Sequence, residues 1–150
     1  MAVSQHTSEP VAPNDGRLLG ALSRQLVQLL HRRAGRGPTR AKSYWAGADL
    51  LVVVLGEGFT DVETTLFERG RAETALTYRH AVLAALEAEM SAEVERLTSR
   101  RVVATMSCAH HDPDLMVEIF VLERLEGSEA PEPTIGGAAG EEAAPLPGLE

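Results

Sequence analysis

Apolar positions recur along this chain with two different periods. Leu18, Leu22, Leu26 and Leu29 fall on one side of a helical wheel, with Leu19 and Leu30 widening the stripe. Arg24, Gln25, Gln28 and Arg32 lie opposite. That spacing predicts an amphipathic helix from near Arg17 to Gly35, capped at its start by Asn14 or Asp15. His31, Arg32 and Arg33 suit the negative end of its dipole, and Pro38 forbids continuation. After a loop through Tyr44, Trp45 and Gly47, the stretch from Leu50 to Leu55 is apolar without alternation. Such a run predicts a central strand covered on both faces.

Thr60-Asp61-Val62-Glu63 has capping-box spacing and predicts a short helix from Asp61 to about Arg69, interrupted at Gly70. A longer helix follows from Arg71 to about Thr98, roughly 40 Å at 1.5 Å per residue. Its Leu76, Leu83, Met90 and Leu97 stand seven apart. The spacing suits packing on the chain's own sheet, and it also admits a homodimer through the 71–98 helix. Arg101 to Cys108 and Leu115 to Leu122 then alternate, predicting two strands joined in a hairpin at His110-His111-Asp112-Pro113. In the first, Val102, Ala104, Met106 and Cys108 share the side read as facing the core. The expected order is α–β–α–α–β–β. It gives an α+β two-layer sandwich over residues 16–125, with a three-stranded sheet packed against helices.

Composition changes the picture mainly through the position of its charge. Apolar residues make up 44% of the 150 but aromatics only 4%, so the core must be aliphatic. The net charge of −8 lies in the two ends. Residues 1–15 hold only Glu9 and Asp15, and residues 126–150 hold six Glu and no cation. Between them acids and bases balance, so the acidic total is no argument against an anionic partner. Both ends lack apolar periodicity and read as a disordered arm (1–15) and a disordered acidic Pro/Gly/Ala tail (126–150). Cys108 is the single cysteine, which favours a reducing, cytoplasmic setting. The polar N-terminus does not read as a secretory signal. The run Leu50–Leu55 is far shorter than the ~20 residues a spanning helix needs. A role at a membrane would be exerted from the aqueous side.

Two clusters stand out as candidate chemistry. Arg32, Arg33, Arg36, Arg40 and Lys42 crowd five cations around Gly35 and Gly37, where glycine lets a backbone approach a ligand closely. A phosphate, a carboxylate or an acidic headgroup fits such a turn. A helix C-cap with solvated arginines accounts for the same residues. No phosphate-binding Gly-x-x-x-x-Gly-Lys pattern is present. The second cluster, His110-His111-Asp112 with Asp114, offers metal-ligand types, but a closed site needs about four convergent ligands, and Asp and Pro also make turns. No metal, cofactor or catalytic constellation is read from it. Cys108 reads as a buried structural thiol rather than a nucleophile beside His110. Glu63 is explained by capping. The β–α–α–β–β order is shared with KH modules, which bind RNA at a Gly-x-x-Gly loop. Here the joint is Glu68-Arg69-Gly70-Arg71, so nucleic acid is only the alternative reading.

Several stretches together resemble the bacterial MpsC family. They are Gly35-Arg36-Gly37-Pro38-Thr39 with Lys42, the strand Leu51–Leu55, and Gly58, Thr60, Val62, Glu63, Leu66 and Gly70. Arg79, Val102-Val103-Ala104, His111-Asp112-Pro113-Asp114 and Glu118–Leu122 complete the set. Phe59 departs from an expected Leu, and Cys108-Ala109-His110 replaces a more polar turn. The resemblance, over roughly Arg17 to Glu123, implies a non-enzymatic accessory of a sodium-translocating, membrane-potential-generating system that handles sodium or inorganic carbon. It implies an integral membrane protein as partner and a place at the inner face of the membrane. Gly35, Arg36, Gly37, Arg40, Lys42, His111, Asp112 and Asp114 are then the expected anion- or partner-binding residues.

Overall fold

The computed structural model describes residues 16–127. Seven elements follow in order: α1 (Gly16–Ala34), β1 (Arg40–Trp45), β2 (Leu50–Gly56), α2 (Asp61–Glu68), α3 (Ala72–Thr98), β3 (Val102–His110) and β4 (Leu115–Leu122). The strands form one sheet in the order β1-β2-β4-β3, antiparallel at every pairing. The helices lie against one face of it. The N-terminal arm, its capping residues Asn14 and Asp15, and residues 128–150 of the tail lie outside the described residues.

Helix α1 forms on the stripe its spacing predicts, burying Leu18, Leu22, Leu26, Leu29 and Leu30. They meet Leu51, Val53 and Leu55 of β2, Phe120 and Leu122 of β4, and Leu83, Leu86, Met90 and Val94 of α3 in one core. The seven-residue spacing of α3 is used inside the chain. Leu83 and Met90 are buried in this core and Leu97 packs against it, while the outer side of the helix carries exposed residues such as Thr77, His80, Glu87 and Arg96.

Three expectations change. The sheet has four strands rather than three. The stretch Arg40–Trp45 looks like loop because cations and a nearby Gly-Pro pair dominate it, yet it alternates. Ala41, Ser43 and Trp45 take the core side and Arg40, Lys42 and Tyr44 the other, as their pairing with β2 requires. Ser43 is buried against Ser23 of α1, hydroxyl to hydroxyl at 2.8 Å. Strand β2 is internal, as its run suggests, but it is covered on one face only. Leu51, Val53 and Leu55 are fully buried, whereas Leu50, Val52 and Val54 are half-buried.

The third change concerns β3. Its register against β4 shifts between Val102 and Ala104. Such a bulge adds one residue and reverses the sides of everything beyond it. Ala104, Met106 and Cys108 therefore share the uncovered face, and Cys108 is exposed rather than buried.

Candidate functional site

The two residue clusters singled out by sequence meet at one end of the sheet. Helix α1 closes at Gly35, whose N–H donates to the His31 carbonyl (3.1 Å). The next turn lies flat on the helix it has left. A Cβ at Gly37 would stand 2.9 Å from the Val27 carbonyl oxygen and 3.0 Å from the His31 Cβ, so this position admits no side chain. Pro38 is thereby brought beside Gly58 in the loop from β2 to α2. The tip between β3 and β4 reaches the same loop. Asp114 accepts the Phe59 N–H on Oδ2 (2.9 Å), and its carbonyl accepts the Glu57 N–H (3.1 Å).

At the centre is a buried ion pair. Arg79 of α3 points along the helix's apolar stripe, with 6% of its side chain exposed, and meets Glu63 of α2, with 1%. Its Nε and Nη2 both donate to the carboxylate, Nη2–Oε2 being 2.6 Å, and Nη2 also donates to the Gly58 carbonyl (2.9 Å). The guanidinium stands 4.9 Å from the Phe59 ring centroid. The predicted capping box is present: Glu63 takes the Thr60 N–H (2.7 Å) and hydroxyl. Burial pushes the Glu63 carboxyl up, but hydrogen bonds from Arg79 and Thr60 outweigh it and hold it below the usual value. One carboxylate thus joins the start of α2, the middle of α3 and the loop after β2. Spacing along the chain accounts for Glu63 as a cap alone. The signal for the rest was an arginine on an otherwise apolar stripe with Ala75, Leu83, Leu86 and Met90.

The predicted binding residues separate into two roles. Gly35, Gly37, His111 and Asp114 build the end of the sheet. His111 stacks on Phe67 of α2 at 3.6 Å between ring centroids, and Phe67 in turn touches Phe59 at 4.7 Å. Arg36, Arg40 and Asp112 face solvent. Arg36 lies 3.7 Å from Asp61 and Arg40 3.4 Å from Glu57. Exposed pairs of this kind are worth about 0–1 kcal/mol, so both arginines can exchange these acids for others. Lys42 is not part of this end's rim. It lies on the uncovered sheet face, 5.2 Å from the Tyr44 ring centroid.

The cavity beneath the turn, lined by Arg36, Pro38, Thr60, Tyr78, Arg79 and Met116, measures about 20 Å³. That is room for about one water and far below the volume of a metabolite site. Among the described residues no group of three or more His, Cys, Asp or Glu side chains is placed to hold a metal ion. What this end presents is a packed platform with two exposed arginines at its rim.

The sequence model of the family described as "Na+-translocating membrane potential-generating system (MpsC)" matches residues 14–124. The chain belongs to the MpsC family. The matched span takes in every element of the fold and both clusters of the platform. No curated protein and no solved structure matches the chain. No described helix of this MpsC-family chain is long and apolar enough to cross a membrane.

Proposed function

We propose that this chain is a non-enzymatic accessory of a sodium-translocating, membrane-potential-generating system, docking on an integral membrane component through the Arg36/Arg40 platform. The family match supplies the system. The observation that carries the docking end is the convergence of three distant stretches, 35–40, 57–63 and 111–114, on one rigid patch. That patch has two solvent-facing arginines at its rim, with side chains 54% and 72% exposed. Exposed guanidinium groups on a fixed backbone suit carboxylates or phosphates presented at the aqueous face of a membrane protein. The chain works from that face, consistent with a cytoplasmic position at the inner side of the membrane.

The test is affinity capture of the tagged protein from the organism that encodes it, beside an Arg36→Ala/Arg40→Ala double variant. Recovery of an integral membrane protein by the native chain and its loss with the double variant are expected, with thermal stability unchanged. Equal recovery by both forms would overturn the platform as the docking end. RNA in the eluate without a membrane protein would overturn the accessory reading and favour the KH-like alternative.

A further inference from the structure

The second face of the sheet has no layer over it among the described residues, and it is not built for water. Three cross-strand pairs fill its middle: Val54 with Val117, Val52 with Ile119, and Leu50 with Val121. Strand β3 extends this surface with Met106, 52% exposed, and Cys108, while β1 extends it with Tyr44, 44% exposed. A glycine at position 56 leaves a shallow depression between Arg40, Tyr44, Val54 and Leu115. The charged side chains on this side are Lys42 and, at the end of β1, Arg40, which is paired with Glu57. Antiparallel sheets that face water normally carry polar residues on that side. This one carries apolar residues on both.

We infer that a second copy of this chain covers the face, the two sheets packing together in a symmetric dimer with the helices outside. The size fits. Four strands about 4.8 Å apart and about six residues long at 3.4 Å each give a footprint on the order of 400 Å². Two copies then bury about 800 Å² before the relief of the side chains is counted, close to the ~1,000 Å² at which specific interfaces begin. Sheets facing each other at ~10 Å with interdigitated aliphatic side chains are a standard packing.

The chain's own ends do not suit the role. Residues 128–150 contain only Ile135, Leu146 and Leu149 as large aliphatic residues, among four prolines and five glutamates, and residues 1–15 only Met1, Val3 and Val11. The charge pattern also favours self-packing over a lipid surface. The middle rows carry no acid to repel a copy. At the strand ends Arg40 pairs with Glu57 and Arg101 with Glu123 (both 3.4 Å), so no unbroken basic rim is offered to anionic headgroups.

Sedimentation of the full chain across about 1–100 µM, without lipid or detergent, tests this. A dimer is expected at the upper end of the range, together with slower reaction of the Cys108 thiol with a soluble disulfide reagent as concentration rises. Met106→Glu changes an already exposed side chain and should return the monomer while leaving the circular dichroism melt intact. Ile119→Lys places a charge at the centre and should do the same; if it fails to fold, Met106→Glu decides. A native chain that stays monomeric throughout overturns the inference. So does a dimer that Met106→Glu leaves unchanged, since the contact would then lie elsewhere, for example on α3. A monomer that binds vesicles of anionic phospholipid overturns it in favour of a membrane surface.

Discussion

Two buried carboxylates respond to pH in opposite senses. Glu118 lies on the core side of β4, 1% exposed, between Val53 and Ser107. It accepts the Ser107 hydroxyl on Oε2, and its Oε1 has no partner among the described residues. Burial, only partly offset by Ser107 and reinforced by Glu87 on α3, raises its pKa from 4.5 to about 7. Between those values the folded chain holds a proton that the unfolded chain releases. Stability therefore falls as pH rises through this window, and the loss is complete above about pH 7. A shift of this size corresponds to about 3 kcal/mol. Glu63, held below its usual value, contributes above the unfolded pKa and loses that contribution as acid is added. Glu118→Gln cannot ionise. Denaturant unfolding at pH 5 and pH 8 should show a drop between them smaller by about 3 kcal/mol in this variant than in the native chain. An unchanged drop would mean that Glu118 is ionised throughout.

At the scale of elements, the sequence is clearest where one period runs unbroken. The α1 stripe, the capping box of α2, the long α3 and both alternating strands are legible because local spacing alone places their apolar residues. Strand β1 is not, since six residues rich in cations acquire a strand's hydrogen bonds only when β2 is beside them. The bulge at Val102–Ala104 is equally silent. One extra residue has no signature in an alternating run, yet it decides which side of β3 is buried. The turn after α1 shows the reverse case, a motif visible in sequence whose reason is purely spatial. Gly37 reads as freedom for a ligand to approach, but what approaches is the backbone of α1. Gly37→Ala should destabilise the fold by about 1–3 kcal/mol, because the nearest obstacle is a carbonyl oxygen that cannot rotate aside. Thermal melting checks this, and a melt equal to the native chain's would show that the turn shifts freely.

For the whole molecule, the platform and the uncovered face adjoin at Arg40, which stands at the rim of the first and the edge of the second. The platform closes one end of the sheet, whereas the apolar rows run across its broad side, so Arg36 serves docking alone while Arg40 borders both. Arg36→Ala alone, which leaves the sheet face untouched, should then sediment as the native chain does even where it loses a membrane partner. A shift to monomer would tie the two surfaces together. Of the candidate site, sequence supplied the residue types: the cations at 36 and 40 and the turn at 111–114. It did not supply the assembly of these stretches around Arg79 and Glu63, which are 16 residues apart. By itself the sequence determined the helices, three of the four strands, the aliphatic core and the charge-balanced centre, because each follows from spacing or composition within one stretch. Only the tertiary structure decided that β1 is a strand, that Cys108 looks outward, that Arg79 is neutralised inside, and that one side of the sheet lies bare. Each of those depends on which distant segment stands alongside, and local period carries no record of that.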